Sequence, residues 1–317
     1  MERRDPSSAY LAAVGMTVAF GLSFVAAKYA LRGFEPQLIA FLRFALAGGL
    51  LWVVWRLRPG RERASRAELK RLALLGLVTP ALYFTLEIQG IARTSASEAA
   101  IIIAAIPIFV SALSALVLGE RAARLQWAGI ALSFAGVVGL MQFGAGAGGG
   151  RLAGNLLVLA AAFAAAVYSL MARRLLLTRS ALFVTTFQNL FGALFLLPLA
   201  LLEMAVAGVR TPTGTAVGAV LYLTLLCSMA AYLLLNYAFR FLEATRVAVF
   251  INLTPVVAVL GAYLLLGERL TAAQVAAAVV VIVGVWVTNS GRPAKAKPEA
   301  PAEPEAPAET LRSPSAG

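Results

Sequence analysis

Four ionisable side chains interrupt long apolar stretches of this chain: Lys28, Arg43, Glu87 and Glu98. At the centre of a bilayer each costs about 2.5 to 3.5 kcal/mol, so it persists only by facing an interior or a wet cavity. Glu87 is the natural partner of Arg43 or Lys28. Two chemistries fit that set, and both stay open at this point. A buried ion pair would fix helix register. Alternatively, Arg43 or Lys28 would hold a carboxylate while Glu87 binds an ammonium group or carries a proton. Glu98 and Lys28 lie shallow enough to reach headgroup water, and Glu98 is assigned a structural role.

Neutral polar residues complete the candidate set: Tyr83, Tyr168, Gln188, Asn189, Tyr232, Asn236 and Asn252, with Tyr237 beside them. Tyr and Asn in such positions cross-link helices or anchor at interfaces at least as readily as they touch a ligand. Gln188 stands where a repeat alignment places Arg43. The expected division is charge in the outer half and neutral donors in the inner half, a pattern that suits a small zwitterion. Pro107 and Pro255, each in the middle of an apolar run, are candidate helix breaks or gating hinges.

Other chemistries are excluded or unsupported. The chain has no histidine and one cysteine, Cys227, so imidazole catalysis and an internal disulfide are ruled out. No metal site, cofactor motif, nucleophile elbow or phosphate-binding glycine loop is legible. The net charge of +12 reflects where the basic residues sit and not a nucleic-acid surface.

These residues are positioned by apolar blocks. Hydrophobic residues make up 61% of the 317 and charged ones 13%, about half the charge of a soluble domain. Ten blocks of roughly bilayer-spanning length lie near 9–31, 36–56, 70–91, 96–118, 124–143, 152–173, 181–203, 215–239, 247–266 and 271–290. The expected fold is therefore all-α and integral to a membrane, with ten transmembrane helices. Arg56, Arg58, Arg61, Arg63, Arg66, Lys70 and Arg71 crowd one loop, while alternation assigns only Arg32, Arg93, Arg151, Arg210 and Arg269 to the other side. The positive side stays in the cytoplasm on insertion, so both termini are expected there.

The chain also repeats itself. Shifting residues 93–127 by 148 brings Pro107 onto Pro255, Gly119-Glu120-Arg121 onto Gly267-Glu268-Arg269, and Gln126 onto Gln274. The Gly-rich stretch at 144–151 separates a first unit, 9–143, from a second, 152–290. Residues 1–8 form a cytoplasmic N-terminus, and 291–317 a Pro-, Ala- and Glu-rich tail expected to be disordered. An odd number of crossings per unit makes the second unit enter from the opposite face, an inverted-topology repeat. Thr271-Ala-Ala-Gln274 reads as a helix capping box, and Glu120 and Glu268 are assigned to structure.

Lys28, Arg43, the run Ser95-Ala-Ser-Glu-Ala-Ala100, the paired prolines and the two Leu-Gly-Glu-Arg turns together resemble the EamA-type members of the drug/metabolite transporter superfamily. The resemblance covers about residues 9–290. It implies ten helices in two inverted bundles, a central cavity with alternating access, and secondary transport, often export, of amino acids or other small metabolites. Phe20-Gly21 departs from the usual Trp-Gly, and Glu87 occupies a place commonly aromatic or aliphatic. The expected partners are a small polar substrate, the lipid bilayer and protons as a coupling ion, with no cofactor. A membrane enzyme and a non-transporting sensor or assembly protein are the competing readings, but neither has a motif behind it.

Overall fold

A computed structural model describes residues 6–60, 62, 64–118, 124–144, 149–176, 178–208, 210–235, 250 and 253–290. Asn236, Tyr237, Asn252, Glu120, residues 145–148 of the Gly-rich stretch and the C-terminal tail lie outside these residues. The described chain is helical, with no strand. Helices α1 (Pro6–Ala30), α2 (Pro36–Leu57), α3 (Arg66–Gly76), α4 (Tyr83–Arg93), α5 (Ala96–Ile103), α6 (Ile106–Leu118) and α7 (Arg124–Gly144) occupy the first part. The second holds α8 (Gly149–Leu176), α9 (Ala181–Ala207), α10 (Gly214–Tyr222), α11 (Thr254–Gly261) and α12 (Ala272–Ser290). Wider π-helical turns run at Leu77–Leu82, Leu223–Ala231 and Ala262–Leu266.

Six helical stretches are long and apolar enough to cross a bilayer: Tyr10–Ala30, Pro36–Leu57, Arg66–Arg93, Arg151–Ala172, Ala181–Ala207 and Gly214–Leu235. Shorter apolar helices cover Ala96–Val110, Arg124–Leu140, Thr254–Leu266 and Ala272–Thr288. Outward-facing Leu74, Leu202, Val206, Leu264 and Trp286 are largely exposed, an apolar surface that water would not tolerate and lipid does. This is a multi-pass membrane protein.

Local sequence sets the helix ends. Ser65 accepts from Glu68 N while the Glu68 carboxylate accepts from Ser65 N, a full capping box. The predicted box at 271–274 forms as well: Gln274 N donates to Thr271 Oγ1 at 3.2 Å and Thr271 N to Gln274 Oε1 at 2.9 Å. Pro107 and Pro255 do not sit inside continuous helix. Each lies in the first turn after a break, where its missing N–H costs nothing. At the first break Ala105 N donates to Ile102 O at 3.0 Å and Ile108 N to Ala105 O at 3.0 Å. At the second, 148 residues on, Leu253 N donates to Phe250 O at 3.0 Å and Val256 N to Leu253 O at 3.1 Å. The sequence repeat is a repeat of backbone geometry.

Small residues let helices from the two parts close on each other, as membrane packing requires. Helix α7 packs along α12, α2 along α9, and α4 on α8. A Cβ at Gly284 would fall 2.4 Å from Ser133 N, and one at Gly90 would fall 2.8 Å from Gly154 O. Between α3 and α4 the helix is broken at Thr79 (φ −144°, ψ 119°), the Thr79–Pro80 peptide is cis, and Pro80 fills the space left by Gly192 of α9.

Candidate functional site

Arg43 is the centre of a buried polar cluster and is 7% exposed. Its Nε donates to Ser228 Oγ at 2.6 Å, linking α2 to the π-helical turn after α10. The guanidinium lies 4.4 Å from the ring centroid of Phe84 and 5.2 Å from that of Phe44, so aromatic faces offset part of its lost hydration. Glu87, 8% exposed, is one α4 turn beyond Tyr83, whose hydroxyl donates to Glu87 Oε1 at 2.6 Å.

Arg43 and Glu87 line one cavity with Ser23, Ala27, Phe84 and Leu223. Its free volume is about 10 Å³, the room of a single water. No direct ion pair joins the two charges: Tyr83 holds the carboxylate, and Ser228 and Phe84 hold the guanidinium. The expected Arg43–Glu87 contact is thus replaced by two charges facing a common closed space. In this conformation the space is too small for a substrate.

Residues of the second part reach the same centre. Tyr232 stands edge-on to Phe20 with centroids 5.5 Å apart, within electrostatic reach of Arg43, Glu87 and Tyr168. Tyr168 donates to Gln188 Oε1 at 3.0 Å. Asn189 is buried, and its Nδ2 finds no hydrogen-bond partner among the described residues. Of the neutral candidates, Tyr232 thus stands near Arg43 and Glu87, with Tyr168 and its partner Gln188 next to it. Ser228 was not anticipated from sequence, because a lone serine in an apolar block carries no signal.

Lys28 belongs elsewhere. Its Nζ donates to the Thr94 carbonyl, with Glu268, Arg151 and Glu98 as its charged neighbours, not Glu87. Glu98 is fully buried, which corrects the expectation that it reaches headgroup water. The reason is a set of partners that sequence spacing hides. Its Oε2 accepts from Thr94 Oγ1 at 2.8 Å, Arg151 Nε at 3.0 Å and Asn155 Nδ2 at 3.1 Å. Its Oε1 accepts from Gln274 Nε2 at 2.7 Å and pairs with the Arg151 guanidinium at 2.7 Å. Glu268 caps α5, accepting from Ala96 N at 2.9 Å and from Ser97 N at 3.0 Å.

Further acidic side chains also tie the two parts together. Glu203 of α9 accepts from Gln37 N at 2.7 Å at the start of α2. At the other end Glu62 and Glu68 grip Arg179, and the Glu68 hydrogen bond holds the Arg179 pKa above its ordinary value. No group of three His, Cys, Asp or Glu able to hold a metal occurs among the described residues.

The family model described as the EamA-like transporter family matches residues 7–142 and 152–290. This chain belongs to that family. The match falls as two copies, one on each side of the Gly-rich stretch. A protein described as an uncharacterized transporter from Archaeoglobus fulgidus is 33% identical over 275 residues, covering 84% of this chain and 92% of its own. A probable amino-acid metabolite efflux pump from Salmonella typhimurium is 31% identical, covering 92% of this chain and 96% of its own. A probable terminal-alkyne amino-acid exporter from Streptantibioticus cattleyicolor is 30% identical, covering 89% and 94%. A crystal structure of a protein 21% identical superposes with a TM-score of 0.60 over 89% of this chain and 96% of that one, a likeness of fold. These relatives of the EamA-family chain are described as a transporter, an efflux pump and an exporter.

Proposed function

We propose that this EamA-family protein is a secondary transporter that exports a small polar metabolite, such as an amino acid, by alternating access around the Arg43–Glu87 cavity. The carrying observation is that a buried cation and a buried carboxylate face one closed space at the seam of the two helix sets. Arg43 would hold the substrate carboxylate, and Glu87 would take its ammonium group or a coupling proton. The amino-acid exporters among the relatives support the substrate class.

The proposed architecture is two inverted five-helix repeats in the plasma membrane with both termini cytoplasmic. Helix packing supports it. Exchanging the two parts turns the packing of the span Arg66–Arg93 on α8 into that of the span Gly214–Leu235 on α1, and α6 on α8 into α11 on α1, and all of these are in contact. Pairs α2–α9 and α7–α12 map onto themselves. A closed cavity inside such a frame opens to either face by exchanging the conformations of the two repeats. Pro107 and Pro255, at the duplicated breaks, are the proposed hinges.

The test is a thermal-shift screen of amino acids, sugars and nucleosides on the purified chain, followed by transport of the hits in proteoliposomes. A ligand present at about 100 times its Kd stabilises by about 2.7 kcal/mol, easily read as a raised Tm. Amino acids are expected to stabilise and to move. Stabilisation by neutral sugars alone would remove Arg43 and Glu87 from substrate binding.

A further inference from the structure

An open trough runs between α11 and α12. Val256, Leu260 and Tyr263 form one wall, Val275, Val279 and Ile282 the other, and buried Ile101 and Pro255 reach its floor. Its volume is about 710 Å³, within the range of about 300–1,000 Å³ typical of ligand sites. One end is not apolar. Glu268, Arg269 and Leu270 belong both to the trough and to an adjoining polar cleft lined by Arg93, Arg151, Thr94 and Ser95.

The charges at that end are unequal in availability. Both Glu268 oxygens are engaged by α5, through Ala96 N and through Ser97 N and Oγ. Arg151 is committed to Glu98, and Arg93 directs one nitrogen to Gln89. Arg269 is exposed and has no hydrogen-bond or ion-pair partner among the described residues. A free guanidinium therefore stands where an apolar trough meets the polar surface, with two more arginines behind it.

We infer that this trough binds an anionic phospholipid, with an acyl chain between α11 and α12 and the headgroup phosphate on Arg269. The complementarity is twofold: apolar walls along the hydrocarbon and an unneutralised cation at its edge. A zwitterionic lipid would fill the same walls but gain less from the arginine. This site is separate from the Arg43–Glu87 cavity and stands whether or not the transport reading holds.

The test uses the full chain in neutral detergent, delipidated and then incubated with phosphatidylglycerol or phosphatidylcholine of the same acyl length. Lipid retained on the intact protein is weighed by native mass spectrometry, and Tm is followed. Phosphatidylglycerol is expected to be retained about fivefold over phosphatidylcholine, the factor for roughly one basic side chain at a charged lipid surface. Arg269→Ala should bring the two lipids to parity with helical content unchanged. Val279→Trp, which fills the trough, should lower retention of both. Equal retention by the unaltered chain, or an undiminished preference in Arg269→Ala, would overturn the proposal. So would stabilisation by glycerol phosphate alone equal to that by the lipid, which marks a free-anion site. A dimer that Val279→Trp dissociates would show a second copy of the chain on the trough and overturn it too.

Discussion

Arg43 shows how one buried charge is made tolerable without being neutralised. Ser228 takes one donor, Phe84 covers a face, and the residue lines a space the size of a water. A cation held this way is stable yet still able to bind an anion, which a bidentate salt bridge would not allow. Arg43→Ala should abolish transport in proteoliposomes while leaving a folded protein in the membrane, and Arg43→Lys should recover little, since a point charge cannot lie flat on Phe84. Normal flux in Arg43→Ala would return the residue to packing. Glu87→Gln keeps the shape and the Tyr83 contact but can no longer gain or lose a proton. Its transport should lose the pH dependence of the unaltered chain, and an unchanged profile would take Glu87 out of coupling. Arg43 and Glu87 were legible because charge in an apolar block is rare. The Glu98 network was not, since Gln274 lies 176 residues away and helical periodicity in an all-apolar helix does not say which way a side chain points.

At the scale of elements, block lengths and caps were readable, and the irregularities were not. Pro107 and Pro255 announced breaks, yet the backbone turns just before each proline, because a ring that cannot donate fits best in a first helical turn. The break at Thr79 passed unread: Pro80 sits in an ordinary apolar run, and what accommodates it is the absence of a side chain at Gly192 on another helix. Close approach of α7 and α12 likewise depends on glycines whose roles only contact reveals. Gly284→Ala puts a methyl 2.4 Å from Ser133 N and Ser133 Oγ, against backbone that cannot step aside. It should destabilise by about 1–3 kcal/mol, the usual cost of overpacking. Gly49→Ala meets nothing within 4 Å and should be neutral or stabilising by up to about 1 kcal/mol through helix propensity. Thermal unfolding of both variants in one detergent checks the pair, and equal Tm values would mean that α7 and α12 are not in register at Gly284.

At the scale of the molecule, the duplicated breaks and the two-copy family match show two related halves, and the proposed inversion would give those halves opposite orientation. The distribution of arginine is an independent argument for that proposal. An inverted repeat cannot carry its charge bias in both halves by copying, because a residue and its counterpart face opposite sides. Under the proposed inversion, the second half is expected to hold few basic residues where the first half holds many. That is visible: the first loop, 56–71, holds seven, while the corresponding link between α9 and α10 holds only Arg210. The sole cysteine, Cys227, is buried, so single cysteines introduced elsewhere can be labelled in an otherwise silent chain. Replacements at Arg58 and at Arg312 should react with a membrane-impermeant maleimide only when the cytoplasmic face is opened, and one at Arg210 should react from outside intact cells. Labelling of Arg58→Cys and Arg312→Cys from different faces would require an odd number of spans between them. No inverted pair of five-helix units could then exist, and the cavity between Arg43 and Glu87 would lose the symmetry by which it is proposed to open alternately to each side.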